Sequence, residues 1–327
     1  MNDPKAQPID IEEQRAWINE YKRDTGLSWN EIARRLGQGR PGQDLKMSTL
    51  SLFAGNKYAA PGEWIAEAIF KFRQTLASQA ALRSKGVEVP GYFDTETSGH
   101  LIYRLSWAQR GRIVVCALAA GLGKTIAAKH FQACNASVFR VTMKPSTSGL
   151  FNMQHAVLKK GLGVTTASGS TEKLSSLIMD RVENLTNPLL IVDEAQHLTV
   201  KAIEEIRSWH DETGLGIALL GNESVQQKLD GGRRSPEYAQ IFSRISLHMS
   251  RSLPLAADVE AVLEAWRVDD RRVCEEIHRL ALLPGTLRGV SHALELGHML
   301  AAAEQEPLAL KHIKEAWTQL SSRSVAA

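Results

Sequence analysis

Apolar residues along this chain follow two rhythms, and the change from one to the other sets out its parts. Over residues 11–76 they recur at steps of three and four, the helical period. In 11–21, Ile11, Trp17, Ile18 and Tyr21 can share one face. Ser28, with Glu31 three residues on, reads as a capping box. Trp29, Ile32, Ala33 and Leu36 supply the buried stripe behind it, and Gly37 the stop. A second short helix is expected from Ser48, as N-cap, to Gly55, and a longer amphipathic one over 64–76. Residues 78–100 lose periodicity and gain Gly, Pro, Ser and Thr, which reads as a linker. A short helix over 100–109 follows.

The second rhythm is a set of short continuous apolar runs at 113–118, 138–143, 189–192 and 216–220, separated by helix-compatible stretches. Such runs suit strands of a parallel sheet covered on both faces. After Pro254 the helical period returns over 257–266, 270–281, 286–303 and 308–320. The expected organisation is an all-α N-terminal domain over 1–85, a linker over 86–100, a three-layer α/β core over 101–253 and a small helical C-terminal domain over 254–327.

Composition narrows the class only modestly. The chain has 327 residues, 43% hydrophobic and 23% charged, as in ordinary globular proteins with room for two or three domains. A net charge of +3, from 39 Lys and Arg against 36 Asp and Glu, neither demands nor excludes nucleic acid, so any basic surface must come from clustering. Cys116, Cys134 and Cys274 form no metal-binding pattern and read as buried thiols in a reducing cytoplasm. No apolar run is long enough to span a bilayer, and the N-terminus lacks the apolar stretch of a signal peptide, so the expected location is the cytoplasm.

The chemistry concentrates where the first apolar run ends. Residues 114–125 read V-V-C-A-L-A-A-G-L-G-K-T. Strand, glycine-containing turn and helix in succession let backbone N–H groups and a helix dipole meet a phosphate. Ala120, Gly121, Leu122, Gly123, Lys124, Thr125 and Ile126 are the expected nucleotide cradle, with Lys124 on the β- and γ-phosphates and the Thr125 hydroxyl on Mg²⁺. Leu118 departs from the P-loop pattern, which has glycine there, and is expected to alter the entry to the loop slightly. Residues 189–198, L-L-I-V-D-E-A-Q-H-L, place Asp193 and Glu194 at a strand's C-terminal end, where open α/β sheets bind ligands. Asp193 is expected to hold Mg²⁺ and Glu194 to orient the attacking water. A third run, G-I-A-L-L-G-N-E, ends in Asn222. Lys144, Lys159 and Lys160 could meet DNA phosphates, although lysines also gather at solvated helix ends for the dipole alone.

Two resemblances follow from these residues. The paired short helices around Ala33, Leu50 and Phe53 resemble lambda-repressor-like helix-turn-helix domains, with a longer turn (38–46) than usual. That resemblance implies double-stranded DNA contact through Ser48, Thr49, Ser51, Asn56 and Lys57; the alternative is a helical bundle for protein contacts. The whole layout resembles the phage Mu transposition protein B group and the related TniB and TnsC-type AAA+ ATPases. The resemblance is carried by G-L-G-K-T, L-L-I-V-D-E-A-Q-H-L, L-L-G-N-E, F-S-R-I, D-V-E-A-V-L-E-A-W and G-T-L-R-G-V. It implies that Asn222 helps position the water, that Arg244 is a finger acting on a neighbour's ATP, with Arg233 and Arg234 as rivals, and that Arg288 reports the γ-phosphate to a C-terminal lid. It further implies an ATPase with ATP and Mg²⁺ as cofactors, a homo-oligomeric ring or filament on DNA, and a transposase partner. The alternative is an AAA+ helicase loader of DNA replication.

Overall fold

The computed structural model describes residues 9–40, 43–84, 89–230 and 243–321. The backbone divides into two units, Met1–Val87 and Glu88–Ala327.

In the first unit, helix α1 (Ile11–Thr25) starts at Asp10, whose side chain accepts from the N–H groups of Glu12 and Glu13, and stops at left-handed Gly26. Helix α2 (Trp29–Leu36) carries the expected capping box between Ser28 and Glu31. Helix α3 (Met47–Ala54) begins two residues earlier than an N-cap at Ser48 implies. Lys46 stands at its N-cap without a side-chain bond, and Ser48 lies inside the first turn. The segment between α2 and α3 contains a short antiparallel ribbon of β1 (Gln38–Arg40) and β2 (Gln43–Asp44), so this N-terminal region is helical with one small ribbon added. Helix α4 runs over Glu63–Ser84, well past the expected end at 76. Ile18, Ile32, Leu50, Phe53, Ile65 and Ile69 form a fully buried core. The C-terminal carbonyls of α3, orphaned by helix geometry, are taken by α1: Arg15 Nε donates to Phe53 O (2.9 Å) and Asn19 Nδ2 to Ala54 O (3.0 Å).

The second unit is a five-stranded sheet in the order β4-β5-β6-β3-β7, with β3 Ile113–Leu118, β4 Val138–Thr142, β5 Leu189–Asp193, β6 Gly216–Gly221 and β7 Ile245–Arg251. Every pairing is parallel. β3, β5 and β6 are buried at every residue, as strands covered on both faces must be, whereas the edge strands β4 and β7 are only partly buried. Alternate residues face opposite layers. Ile113, Val115, Val141, Leu190, Val192, Ile217 and Leu219 share one core with Leu174, Ile178, Ile206 and the fully buried Trp209. The covering helices include α5 (Glu96–Ala108), α6 (Lys124–Cys134), α7 (Leu150–Ala156), α8 (Thr171–Glu183), α9 (Val200–Thr213) and α10 (Glu223–Asp230). A π-helical turn, Val157–Gly161, continues α7. Helix α5 starts at a Thr95–Ser98 capping box, inside the stretch the sequence marks as linker.

Four helices complete this unit: α11 (Ala256–Ala265), α12 (Arg271–Ala281), α13 (Thr286–Glu304) and α14 (Leu310–Ser321). A buried carboxylate ties them to the sheet layers. Asp258 is fully buried on α11 and accepts from Thr97 N (2.8 Å), Thr97 Oγ1 (2.5 Å) and Leu255 N (2.8 Å), which supplies the hydrogen bonds a buried carboxylate requires.

Candidate functional site

β3 ends at Leu118, still within the sheet and fully buried, opposite Arg251 of β7. Its backbone is not left-handed, so the glycine usual at this point is not needed here. The turn that follows does need glycines. Gly123 (φ +80°) sits in open space and is required by conformation alone. Gly121 (φ +93°) is required twice, since a Cβ there would also lie 2.1 Å from Gly285 O. Gly123 offers no capping side chain, so the leading N–H groups of α6 have no side-chain partner. That is the arrangement that receives an anion at a helix N-terminus.

Lys124 is only 8% exposed, and its Nζ donates to Leu118 O (2.6 Å) and Ala119 O (3.2 Å) of its own loop. Burial pushes its amine below the ordinary lysine range; the charges of Glu194 and Asp193 oppose that shift, and Arg288 adds to it. Those four side chains, drawn from α6, the end of β5 and the start of α13, therefore share one electrostatic neighbourhood. Asp193 is the last residue of β5 and is fully buried. Its Oδ2 accepts from Thr125 Oγ1 at 2.8 Å, and its Oδ1 from Glu194 N at 3.1 Å. A hydroxyl and a carboxylate converging this closely are hard oxygen donors of the kind that suit Mg²⁺. Glu194 itself is left-handed (φ +56°), a strained state for a non-glycine residue that re-aims the chain after the strand, and Gln196 donates to its Oε2.

Asn222 follows β6, the strand between β5 and β3, and so stands between the acidic pair and the glycine loop. Its Oδ1 also accepts from Ser224 N (3.1 Å), an Asx turn that opens α10. Gly221 before it leaves no room for a side chain: a Cβ would lie 2.2 Å from Val225 Cγ2. Arg288 is exposed on the first turn of α13. Ile126, one residue past Thr125, is 58% exposed, and Leu122 is buried.

Arg244 is not brought to this place. It immediately precedes β7, whose Ile245 pairs with Ile113, so it stands at the N-terminal ends of the strands. Lys124, Asp193 and Asn222 stand at the C-terminal ends, roughly 20 Å away along β3. There Arg244 Nε meets Asp211 Oδ1 of α9 at 2.6 Å. Arg233 and Arg234 lie outside the described residues.

The DNA candidates are dispersed. Ser48 and Lys57 are exposed and Thr49 half-buried in the first unit. In the second, Lys144, Lys159 and Lys160 are all exposed. Lys144 follows the C-terminal end of β4, whereas the π-turn that carries Lys159 and Lys160 packs beside Phe139 near its start, about 16 Å of extended chain away.

Two further residues reach the site without a sequence signal that named them. Arg140 Nη1 lies 3.8 Å from Asp193 Oδ2 and 3.0 Å from Thr142 Oγ1, because β4 pairs Thr142 with Asp193. A lone arginine inside an otherwise apolar strand is the clue that could have flagged it. Thr286 Oγ1 donates to Ala120 O in the glycine loop at 2.9 Å, across 166 positions of sequence.

Comparison with known proteins agrees with this geometry. Residues 108–229 match an AAA domain model, and residues 243–320 match the model described as Mu B transposition protein, C terminal. The chain is 28% identical to the ATP-dependent target DNA activator B of Escherichia phage Mu, across 95% of this chain and 96% of that protein. It is 30% identical to the Mu-like prophage FluMu DNA transposition protein B of Haemophilus influenzae, across 83% of this chain and 91% of that protein. Among solved structures, the Aeropyrum pernix ORC2 protein superposes with a TM-score of 0.57 at 15% identity, covering 71% of this chain and 69% of that one. A chain of Drosophila ORC bound to DNA gives 0.52 at 14%, covering 74% and 65%. These structures establish the fold alone. With a phosphate-binding loop, an acidic strand end and an AAA domain in place, the chain is an ATPase, and it belongs to the Mu B transposition protein family.

Proposed function

We propose that this ATPase binds double-stranded DNA when loaded with ATP, assembles along it as a homo-oligomeric filament, marks transposition targets and recruits and stimulates a transposase. In this reading, hydrolysis releases the assembly. The observation that carries the reading is the division of the catalytic groups between two ends of one sheet. Lys124, Thr125, Asp193 and Glu194 converge at one end, and Arg244 stands at the other, out of reach of its own nucleotide. A finger there can serve only the site of a neighbouring copy, so ATP becomes an interfacial ligand and its binding favours assembly. A filament then multiplies modest phosphate contacts per subunit into tight binding.

Within the site, Lys124 and the N-terminus of α6 would hold the phosphates, and Glu194 would orient the attacking water with Asn222 beside it. Thr125 and Asp193 would hold Mg²⁺, which neutralises phosphate charge when bound. Arg288 would carry the state of the γ-phosphate into the C-terminal helices. Lys144, Lys159 and Lys160, with Ser48, Thr49 and Lys57 of the N-terminal unit, remain the candidates for DNA contact. The relative of Escherichia phage Mu is described as ATP-dependent and as a target DNA activator, which supports the transposition reading over a helicase loader. Among the described residues no helix is long and apolar enough to cross a membrane.

Electron microscopy with duplex DNA, with and without a non-hydrolysable ATP analogue, tests this reading. Regular filaments on DNA only with the analogue are expected. Equal DNA binding without nucleotide would overturn it. Lys124→Ala should abolish the nucleotide-dependent assembly, and Glu194→Gln should hold it on DNA.

A further inference from the structure

Thr286 opens α13, two residues before Arg288. It is a β-branched residue with φ +45°, a left-handed state that such side chains rarely occupy, and Gly285 before it is left-handed too (φ +100°). The side chain is buried, and its hydroxyl donates to Ala120 O at 2.9 Å. Next to that bond the two turns touch backbone to backbone. A Cβ on Gly121 would lie 2.1 Å from Gly285 O and 2.5 Å from Thr286 Oγ1. The glycine loop is thus held from two directions, with the Lys124 amine on Leu118 O and Ala119 O and the Thr286 hydroxyl on Ala120 O.

Such strain persists only where surrounding contacts over-determine it. Here those contacts join the phosphate-binding loop to the helix that carries Arg288. A loop that adjusts its carbonyls around a phosphate moves the Thr286 hydroxyl with it, and α13 must follow. We propose that Thr286 is a positioning residue for ATP hydrolysis: its bond to Ala120 sets where Arg288 stands over the nucleotide. The proposal rests on the reading of Arg288 as the lid's contact with the γ-phosphate. Gly121 is its counterpart, a residue kept small by the lid's turn as well as by its own backbone.

The test is a set of full-length variants assayed for ATP turnover with duplex DNA, for affinity toward a fluorescent ATP analogue and for thermal midpoint. Thr286→Ala should lower kcat about tenfold, the scale of one lost hydrogen bond, with KM and nucleotide affinity changed less than about threefold. Thr286→Ser keeps the hydroxyl and should restore turnover. Thr286→Gly relieves the left-handed strain; it should raise the thermal midpoint relative to Thr286→Ala and still turn over slowly. Turnover that instead follows the thermal midpoint across the series would assign Thr286 a structural role and overturn the proposal.

Arg288→Ala separates the two readings. If it lowers turnover and Thr286→Ala does not, the positioning role falls and the Arg288 reading stands. If it leaves turnover intact, the Arg288 reading fails and Thr286 cannot act through it. If both singles are slow, the double variant should be no slower than Arg288→Ala alone, since one residue acts through the other; independent, multiplied losses would overturn the proposal.

Discussion

The two ends of the central sheet are made by the same strands and behave in opposite ways. At the C-terminal ends, a buried lysine, a buried aspartate, a strained glutamate and two left-handed glycines crowd into one place. At the N-terminal ends, Arg244 sits partly exposed on the surface with Asp211. The first end has desolvated its charges, which strengthens their action on a ligand. The second keeps an arginine partly hydrated and paired with Asp211. A parallel sheet places the loops that follow its strands at one end, so a group at the other end lies out of reach of a ligand bound there. On the function proposed above, the contrast means that this chain carries two halves of a site, with Lys124 and Asp193 in one and Arg244 in the other.

The strongest way to break that contrast is to remove each half. Lys124→Ala should lower ATP affinity and turnover by at least about a hundredfold, since it deletes the charge at the phosphates. Arg244→Ala should leave affinity for the ATP analogue within a few-fold and lower DNA-stimulated hydrolysis about a thousandfold. Mixing the two inactive variants should restore measurable turnover, because some interfaces then pair an intact Lys124 with an intact Arg244. A mixture as dead as its parts would dissolve the comparison.

A smaller effect sharpens it. Asp211→Asn removes the carboxylate charge that Arg244 meets at 2.6 Å. The pair is partly exposed, so a change of about fivefold at most in hydrolysis is expected, with nucleotide affinity untouched. A thousandfold loss would mean that Asp211 is itself part of the transfer chemistry.

Protonation separates the ends as well. Burial holds the Lys124 amine below its ordinary value of 10.5. At this group the unfolded chain therefore binds more protons than the folded one in the window below 10.5, and the contribution of Lys124 to folding stability rises with pH there. The wild-type protein should gain on Lys124→Met as pH climbs through that window, followed by denaturant unfolding without nucleotide. A constant difference would show that the amine is not desolvated. The least disruptive probe lies between the ends. Cys116, in the middle of β3, is fully buried with its thiol pushed up to about 12, whereas Cys134 on α6 is exposed and Cys274 half-buried, so only the first is the buried thiol the sequence suggests for all three. A thiol reagent at neutral pH should label Cys134 at once and Cys116 only with global unfolding; early labelling of Cys116 would mean that β3 opens locally.

Much of this is legible in the sequence. The capping box at Ser28 and Glu31, the strand that ends in Asp193, and the break at Pro284 and Gly285 ahead of Arg288 each follow from local rules, and each stands where those rules put it. Other local readings were incomplete. Ser48 reads as an N-cap, but the cap falls at Lys46 and Ser48 lies inside the first turn of α3. The segment between α2 and α3 pairs as a ribbon, and helices occupy about half of the stretch 78–100 read as linker, since α4 runs on to Ser84 and α5 begins at Glu96.

The sequence by itself determined the nucleotide loop, the acidic strand end, the alternation of strands and helices and, through its likeness to relatives, the family. These depend on backbone sterics and on hydrophobic period, which act within a few residues of one another. Only the tertiary structure decided that Arg140 lies beside Asp193, that Thr286 grips Ala120, that Asp258 ties α11 to Thr97 and that Arg244 faces away from its own site. Each of these follows from strand order or helix packing across scores of residues. No local preference encodes such contacts; they form only when a whole sheet and its covering helices bury their apolar faces together.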